Sequence, residues 1–584
     1  MIKRLSFFLF AILSGQVYGQ ERPELALNQT GYYPNAPKIV VLITDHAVSG
    51  FDIINAKTKD IVFSGKPSGL KQSNNSSLKT QVADFSSIST PGKYIYSDGR
   101  EGISHEFYIA PKVQSNLAVA SLKAFYFQRV SMPLTAEYAG QWTRPAGHPD
   151  TKVVIHPSAI NKQGRSDSII SSSGGWYDAG DYNKYIVNSG ITMGTLLSAY
   201  EDFPFYFDTL RVGIPGNGNR LPDLLDEVLY NLRWMMTMQD PDDGGVYHKC
   251  TNAAFDGTVM PGVTKLTRYV VQKSTAATLD FTAVMAQAGR IFKKFDKQFP
   301  GLSDSCVKAA KKSWNWSLKN PSLLYNQDSM NLLYLPKVTT GAYGDRMLED
   351  EWFWASTELY LTTGEAEYES KMKTGLEAGY SLPTWARVHL LGIYSILRLD
   401  KNTDRVNAAK MKLLKLTDEY LSTIPSNAFL TVMGSRKSDF NWGSNSNAAN
   451  QGILMINAWK LTGDIKYANA ALTNLDYICG RNATGYHFVT GFGKRSPKHP
   501  HHRPSEADAV AEPIPGLLVG GPNPGMQDKC NYPFKEPETA YVDDYCSYAS
   551  NEIAINWNAP LVYLANAIEA IQYKTGYSKL PQKK

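Results

Sequence analysis

Two carboxylates three residues apart, Asp178 and Asp181, stand in the stretch Gly174-Gly175-Trp176-Tyr177-Asp178-Ala179-Gly180-Asp181-Tyr182-Asn183-Lys184-Tyr185. Gly180 between them allows backbone angles that a side chain would forbid, which lets both carboxyls turn into one cavity. Two like charges so close are costly to bury unless they share a proton, a water or a cation. The rings of Trp176, Tyr177, Tyr182 and Tyr185 offer flat apolar faces of the kind that stack on sugars. The pattern fits a carboxylate that activates water beside a carbohydrate. It also fits a plain Asp-Gly turn with aromatic core around it, or a calcium carboxylate at Asp178.

A second group of reactive side chains lies far downstream, between about 480 and 558, in a loop region rich in Pro, Gly, His and Asn. Long loops inside a compact domain are usually functional or disordered. This one carries His487-Phe488-Val489-Thr490-Gly491-Phe492-Gly493, then Pro500-His501-His502-Arg503, and finally Tyr541, Asp543, Asp544, Tyr548 and Glu552. His501 and His502 resemble a metal pair, yet no Cys or carboxylate spacing completes a zinc site. Asn558 is placed to cap a final helix with Pro560 in its first turn, which puts Glu552 in the loop just before it.

The elements that must position these groups fall into two blocks. Short apolar runs at 39–44, 51–54, 61–63, 78–85, 93–96 and 106–109 are separated by Gly, Pro, Asn and Ser. They alternate as half-buried strands do, and predict a small immunoglobulin-like β-sandwich over 20–111 with no catalytic constellation. From Ser115 the period becomes helical. Apolar faces begin at Leu117 and recur near 189–202, 221–238, 274–297, 303–318, 345–363, 366–378, 384–397, 403–423, 446–462, 464–479 and 559–573. Gly364 and Gly463 each stop one helix before another starts at once. Twelve helices in six hairpins predict an all-α (α/α)6 barrel over 112–584.

Composition sets the remaining bounds. A chain of 584 residues with 43% hydrophobic and 12% aromatic residues can fill two large cores. The net charge of +6 is small and spread out, which argues against nucleic acid or a membrane surface as partner. Lys3 and Arg4, the apolar run Leu5 to Leu13 and Val17-Tyr18-Gly19 read as an export signal over 1–19, too short to span a bilayer. An exported monomer is expected. Five cysteines leave at least one unpaired, and Cys530 with Cys546 is the one pair close in sequence within a loop-like region.

At this point the chain resembles glycoside hydrolase family 9, whose members often carry an immunoglobulin-like domain before an (α/α)6 barrel. The resemblance covers nearly all of the chain after the signal. It rests on Asp178 to Asp181, on Val489 to Arg503, and on Tyr541, Asp543, Tyr548, Glu552, Ala554, Asn558 and Ala559. It implies an inverting hydrolase of β-1,4-glucans or cello-oligosaccharides that needs no catalytic cofactor. By it Asp181 is the general base, Asp178 helps hold the attacking water, and Glu552 is the general acid. Asp543 and His501 join the catalytic group, while Arg503, Trp176, His487 and Tyr548 contact the sugar. An inverting pair must stand roughly 6.5–9.5 Å apart to admit water, and the acid needs a raised pKa, here expected from Asp543 or Asp544.

Two departures bear on the substrate. His487 stands where the family pattern has a smaller residue, which would alter one sugar subsite. Some relatives bind zinc ahead of the base, but 142–175 holds His148 and His156 without cysteine, so no zinc is expected there. A structural calcium is compatible with the resemblance, although no specific calcium motif is present. Endo action on β-glucan is the leading reading. An exo-acting cellodextrin or aminosugar glycosidase and a carbohydrate-binding protein without catalysis are the alternatives.

Overall fold

The computed structural model describes residues 21–99, 102–160, 169–216 and 220–580. The expected export signal lies outside them. Eight strands build the first domain: β1 (Leu25–Leu27), β2 (Ile39–Ile43), β3 (Phe51–Asn55), β4 (Ile61–Gly65), β5 (Lys71–Gln72), β6 (Lys79–Asp84), β7 (Gly92–Ser97) and β8 (Phe107–Ile109). They form two antiparallel sheets, β1-β2-β6-β5 and β4-β3-β7-β8. Six runs agree with the sequence to within one or two residues, but β1 and β5 are too short to show an alternation. Ile61, expected half-buried, is exposed on the edge strand β4.

Strand β2 explains how the domains join. Its Val40 and Leu42 face the sandwich core, while Val41 on the other face packs with Ala26, Leu78, Ala428, Phe429 and Ala483. A strand covered on both faces reads as an unbroken apolar run rather than an alternating one. Polar contacts rim this patch: Asn28 Nδ2 donates to Asp476 Oδ1 at 2.7 Å, and the Tyr33 hydroxyl to Glu569 Oε1 at 2.5 Å.

Twelve of the helices pair into six hairpins, as expected. The inner ring is Ile186–Asp202, Thr275–Phe292, Glu349–Thr363, His389–Leu399, Ser444–Thr462 and Ile555–Ile571. Ser115–Phe127, Asp223–Thr237, Leu302–Lys319, Glu369–Leu376, Thr403–Leu421 and Ile465–Ile478 back them from outside. Gly364 and Gly463 end their helices at φ of 73° and 72°, where glycine has no steric penalty. All six inner helices run the same way. The C-terminal parts of five of them meet in a buried ionic cluster in which Arg290 binds Glu201 and Glu358, Arg398 binds Glu201 and Asp202, and Lys460 binds Asp202.

The final helix corrects one expectation. It begins at Ile555, not near Asn558, and Pro560 lies inside it. Asn558 is engaged elsewhere: its Oδ1 accepts from the Leu518 amide and its Nδ2 donates to the Ser121 carbonyl. A five-stranded sheet of short pieces, β9 (Val153–Ile155), β10 (Ile169–Ile170), β11 (Lys184–Tyr185), β12 (Lys249–Asn252) and β13 (Arg268–Val270), was invisible to periodicity. It lies over the mouth of the inner ring.

Phe429→Ala should cost about 3 kcal/mol by opening a cavity in the interdomain patch. Denaturant unfolding measures it, and an unchanged midpoint would show that this face does not hold the domains together.

Candidate active site

The three acids expected to carry the chemistry sit shortly before the N-termini of two inner helices. Asp178 and Asp181 precede Ile186, and Glu552 precedes Ile555. The two segments are stitched by main chain. The Ile555 amide donates to the Asp178 carbonyl at 2.8 Å, and Ala179 and Ala554 form an antiparallel bridge. The third segment joins through a parallel bridge between His501 and Glu552. Gly180 is required here for a different reason from the one expected. Its φ is not in the left-handed region, but a Cβ would collide with the His501 carbonyl.

Asp178 and Asp181 are both buried, and each is held by uncharged donors. Asn188 Nδ2 donates to Asp178 Oδ1 at 2.5 Å, and the Tyr343 hydroxyl donates to Oδ2 at 2.7 Å. Asp181 Oδ1 accepts from the Asn183 amide at 3.2 Å; its Oδ2 accepts from Asn183 Nδ2 at 2.9 Å and from the Tyr185 hydroxyl at 3.1 Å. Burial first, then the charge of Asp181, pushes the Asp178 carboxyl up to about 8. Asp178 therefore keeps a proton through neutral pH.

Glu552 retains some exposed surface, but its carboxyl lies deep enough that burial raises its pKa well above the carboxylate range. Asp181 and then Asp178 add to the rise, while Arg503 opposes it. The raising charges are thus the aspartate pair and not Asp543 or Asp544. Asp543 is spent on the loops: its Oδ2 accepts from the Lys498 amide, and its Oδ1 from the His499 amide and Asn551 Nδ2. It fixes the segment carrying His501 to the segment carrying Glu552. Asp544 accepts from the Cys546 amide. Cys530 and Cys546 form a disulfide in the same loop.

The other expected contacts divide. His501 donates from Nδ1 to the Tyr545 carbonyl at 2.6 Å, which leaves Nε2 as an acceptor. Its ring stacks on Tyr545 with centroids 4.8 Å apart. Arg503 directs Nε and Nη1 to the carbonyls of Asp256 and Gly180 rather than to a carboxylate. Tyr548 lies beside His501 and the exposed Trp442, its centroid 5.5 Å from the indole. Trp176 and His487 do not belong to the site. Trp176 is fully buried, packed on Phe125 with its indole N–H donated to Glu227. His487 is fully buried at the domain boundary, where Nε2 and Thr30 Oγ1 are 3.0 Å apart.

Sequence reasoning missed Tyr343, Asn183 and Asn188. Tyr343 holds a φ of 46°, uncommon for a residue with a ring, and gave no periodic signal. Asn188 sits in the first turn of a helix, where a polar residue attracts no notice.

A second group of acids, Asp280, Asp345, Asp350 and Glu351, lies beside the inner ring. Burial raises all four, and repulsion from neighbouring acids adds to it, which for Asp345 comes from Glu349. Both oxygens of Asp280 lack a hydrogen-bond partner, and Glu351 has only the neighbouring acids Asp345 and Asp350. Among the described residues no three His, Cys, Asp or Glu are already arranged as a metal centre. The donor chemistry is nonetheless that of a hard cation, all oxygen and anionic.

Comparison with known proteins agrees with this architecture. The profile of "Glycosyl hydrolase family 9" matches residues 115–565, and that of "Cellulase N-terminal ig-like domain" matches 20–101. The chain is 46% identical over 576 residues to a xyloglucan-specific endo-beta-1,4-glucanase of Bacteroides ovatus, covering 96% of this chain and 98% of that one. It is 33% identical over 551 residues to Endoglucanase D of Acetivibrio thermocellus, covering 92% and 82%. The solved structure "Bacteroides ovatus GH9" superposes with a TM-score of 0.89 at 45% identity over 94% of this chain and 99% of that one.

His487→Ala tests the relocation of that residue. Burial holds His487 neutral, with its pKa near 3, and the Val489 amide donates to its Nδ1. The variant should melt at a lower temperature while KM for a β-glucan stays at the wild-type value; a raised KM would return His487 to the sugar.

Proposed function

The chain belongs to glycosyl hydrolase family 9 and is a glycoside hydrolase, and on that footing we propose that it cuts β-1,4-linked glucans internally, with Asp181 as general base and Glu552 as general acid. The observation that carries the role assignment is the unequal environment of the two groups. Glu552 is kept protonated by burial and by the nearby Asp181, on backbone stitched to the turn that bears Asp181. Asp181 is gripped by an amide, an asparagine and a tyrosine, none of which neutralises it.

The reading gives each group one task. Glu552 protonates the leaving glycosidic oxygen, and Asp181 takes a proton from a water that attacks the opposite face of the anomeric carbon. Asp178 holds that water as its second partner. His501 Nε2 and Arg503 face the sugar, and Trp442 with Tyr548 offers a platform for a neighbouring residue of the chain. No cofactor takes part in the displacement. The named substrate of the Bacteroides ovatus relative makes xyloglucan the first glucan to try. A non-catalytic binding role accounts poorly for a buried acid paired with a separate, unneutralised acceptor.

On soluble xyloglucan, endo action should lower viscosity well ahead of reducing-sugar release. Asp181→Asn and Glu552→Gln should each lose on the order of 10²–10⁴-fold in kcat with the fold intact. An activated aryl glycoside should partly restore Glu552→Gln, because its leaving group needs less protonation. Either variant keeping about a tenth of the wild-type rate would remove that residue from its role.

For the structural calcium that the resemblance admits, Asp280, Asp345, Asp350 and Glu351 are the residues that would hold it, since Asp280 is buried with no donor and Glu351 with only the neighbouring acids. Melting curves with calcium and with a chelator test this. Without a cation the sign follows from the raised carboxyls: neutral burial favours the fold at low pH, and stability falls as pH rises through the folded pKa values. Calcium should raise Tm and flatten that fall; identical curves with and without it would mean that protons alone occupy the cluster.

A further inference from the structure

Lys249 is a buried cation without an ion-pair partner. It stands on β12 directly opposite Tyr185 of β11. Its Nζ donates to Gln327 Oε1 at 2.7 Å, to the Gly341 carbonyl at 2.7 Å and to Thr340 Oγ1 at 3.0 Å. It also lies 5.5 Å from the centroids of Tyr185 and Tyr325. Among the described residues no carboxylate comes within ion-pair distance of it. A charge buried in this way normally carries a steep desolvation cost unless some anion nearby repays it.

Two connected routes run from this ammonium to Asp181. The first passes through the Tyr185 ring, whose hydroxyl donates to Asp181 Oδ2. The second is a chain of hydrogen bonds. Lys249 fills Thr340 Oγ1, Thr340 and Thr251 hydroxyls are 2.6 Å apart, and Thr251 donates to Asn183 Oδ1 at 3.0 Å. With Oδ1 also receiving the Asn252 amide, the Asn183 side chain can turn only one way, with Nδ2 toward Asp181. The lysine stands at the head of this second route, whose last link is also held by Arg268 Nη1 at 3.3 Å.

We propose that Lys249 is a positioning residue for hydrolysis, holding Asp181 ionised and aimed through Tyr185 and Asn183. This rests on the reading of Asp181 as the base. The other charged or titratable groups around Asp181 are Asp178 from its own turn, Tyr185 of β11, Arg268 of β13 through Asn183, Glu552 from the loop before the last helix, and His501 and Arg503 from the crossing loop. Arg503 directs its donors to backbone carbonyls and Arg268 is paired with Asp150, which leaves Lys249 as a cation on this face with no carboxylate of its own. In keeping with this, burial draws the Lys249 ammonium down to about 7 while Asp181 is the charge that holds it up.

The sign of the effect is fixed. A general base works only when ionised, so loss of a nearby cation moves the acidic limb of kcat/KM to higher pH. Profiles should be recorded on xyloglucan for the wild type, Lys249→Met and Lys249→Arg. Lys249→Met should move the acidic limb up by about one pH unit, the lower end of what an opposite charge does to a carboxylate. Its KM should change little, and Lys249→Arg should restore the wild-type limb. Gln327→Glu decides the case if Lys249→Met does not fold, because it neutralises the ammonium in place and should shift the limb the same way. Lower activity with an unmoved limb in every folded variant would overturn the proposal and leave Lys249 a packing residue. Failure of the underlying reading shows separately, as Asp181→Asn that stays active with its limb in place.

Discussion

One hydrogen bond ties the two halves of the site together: the Ile555 amide to the Asp178 carbonyl. The first amides of a helix have no partner within it and need one from outside. The last inner helix has no side-chain cap, since Ala554 occupies that position. Its need is met by main chain of the turn that carries Asp178 and Asp181. Forming that helix therefore draws Glu552 against the aspartates, and the antiparallel bridge of Ala179 with Ala554 fixes the register. The approach is close enough that residue 180 must lack a side chain. A catalytic geometry made from residues almost four hundred positions apart thus depends on backbone contacts, which no side-chain exchange elsewhere can easily disturb.

Closeness of three carboxyls then sets the electrostatics. Burial would protonate them all, so their differences must come from their donors. Glu552 takes no neutralising ion pair, because Arg503 is held to the Gly180 and Asp256 carbonyls. A bidentate arginine on Glu552 would lower its pKa and unfit it for the acid role proposed for it. Asp178 receives only two donors and stays protonated to about pH 8. Asp181 receives three, from residues themselves fixed by Thr251, Asn252 and Arg268 around Asn183. The division of labour lies in what surrounds each acid rather than in the acids themselves.

Much of this could be read from the chain, and the limits have physical causes. Long helices reveal themselves because one apolar face repeats over many turns, so all twelve were placed. The short strands β9 to β13 cannot, since two to four residues hold no period. The motifs located Asp178, Asp181 and Glu552 but misplaced Trp176 and His487. Adjacency to a reactive residue says little about direction. Trp176 turns into the core, onto Phe125 and Glu227, although it stands two residues before Asp178. Asp543 was read as reactive where the structure uses it as a clamp for two loops. Lys249 gave no sign at all, because its importance comes from residues on four other segments.

The same six inner helices place charge differently at their two ends. At the C-terminal end Arg290, Arg398 and Lys460 answer Glu201, Asp202 and Glu358, and cations there also suit the helix dipoles. Breaking one member of such a cluster would leave a buried charge exposed to its like neighbours, so the ring is held in one register. At the N-terminal end the acids are left without matching cations, and two separate groups of them keep raised pKa values. That end is the less stable arrangement, tolerable because helix N-termini favour negative charge and because the far end locks the ring. Placing the loops that bear the three acids before inner helices gathers the unpaired acids at one mouth. An exchange of these ends, with paired charges at the mouth, would give a sturdier barrel with no acid left to donate a proton.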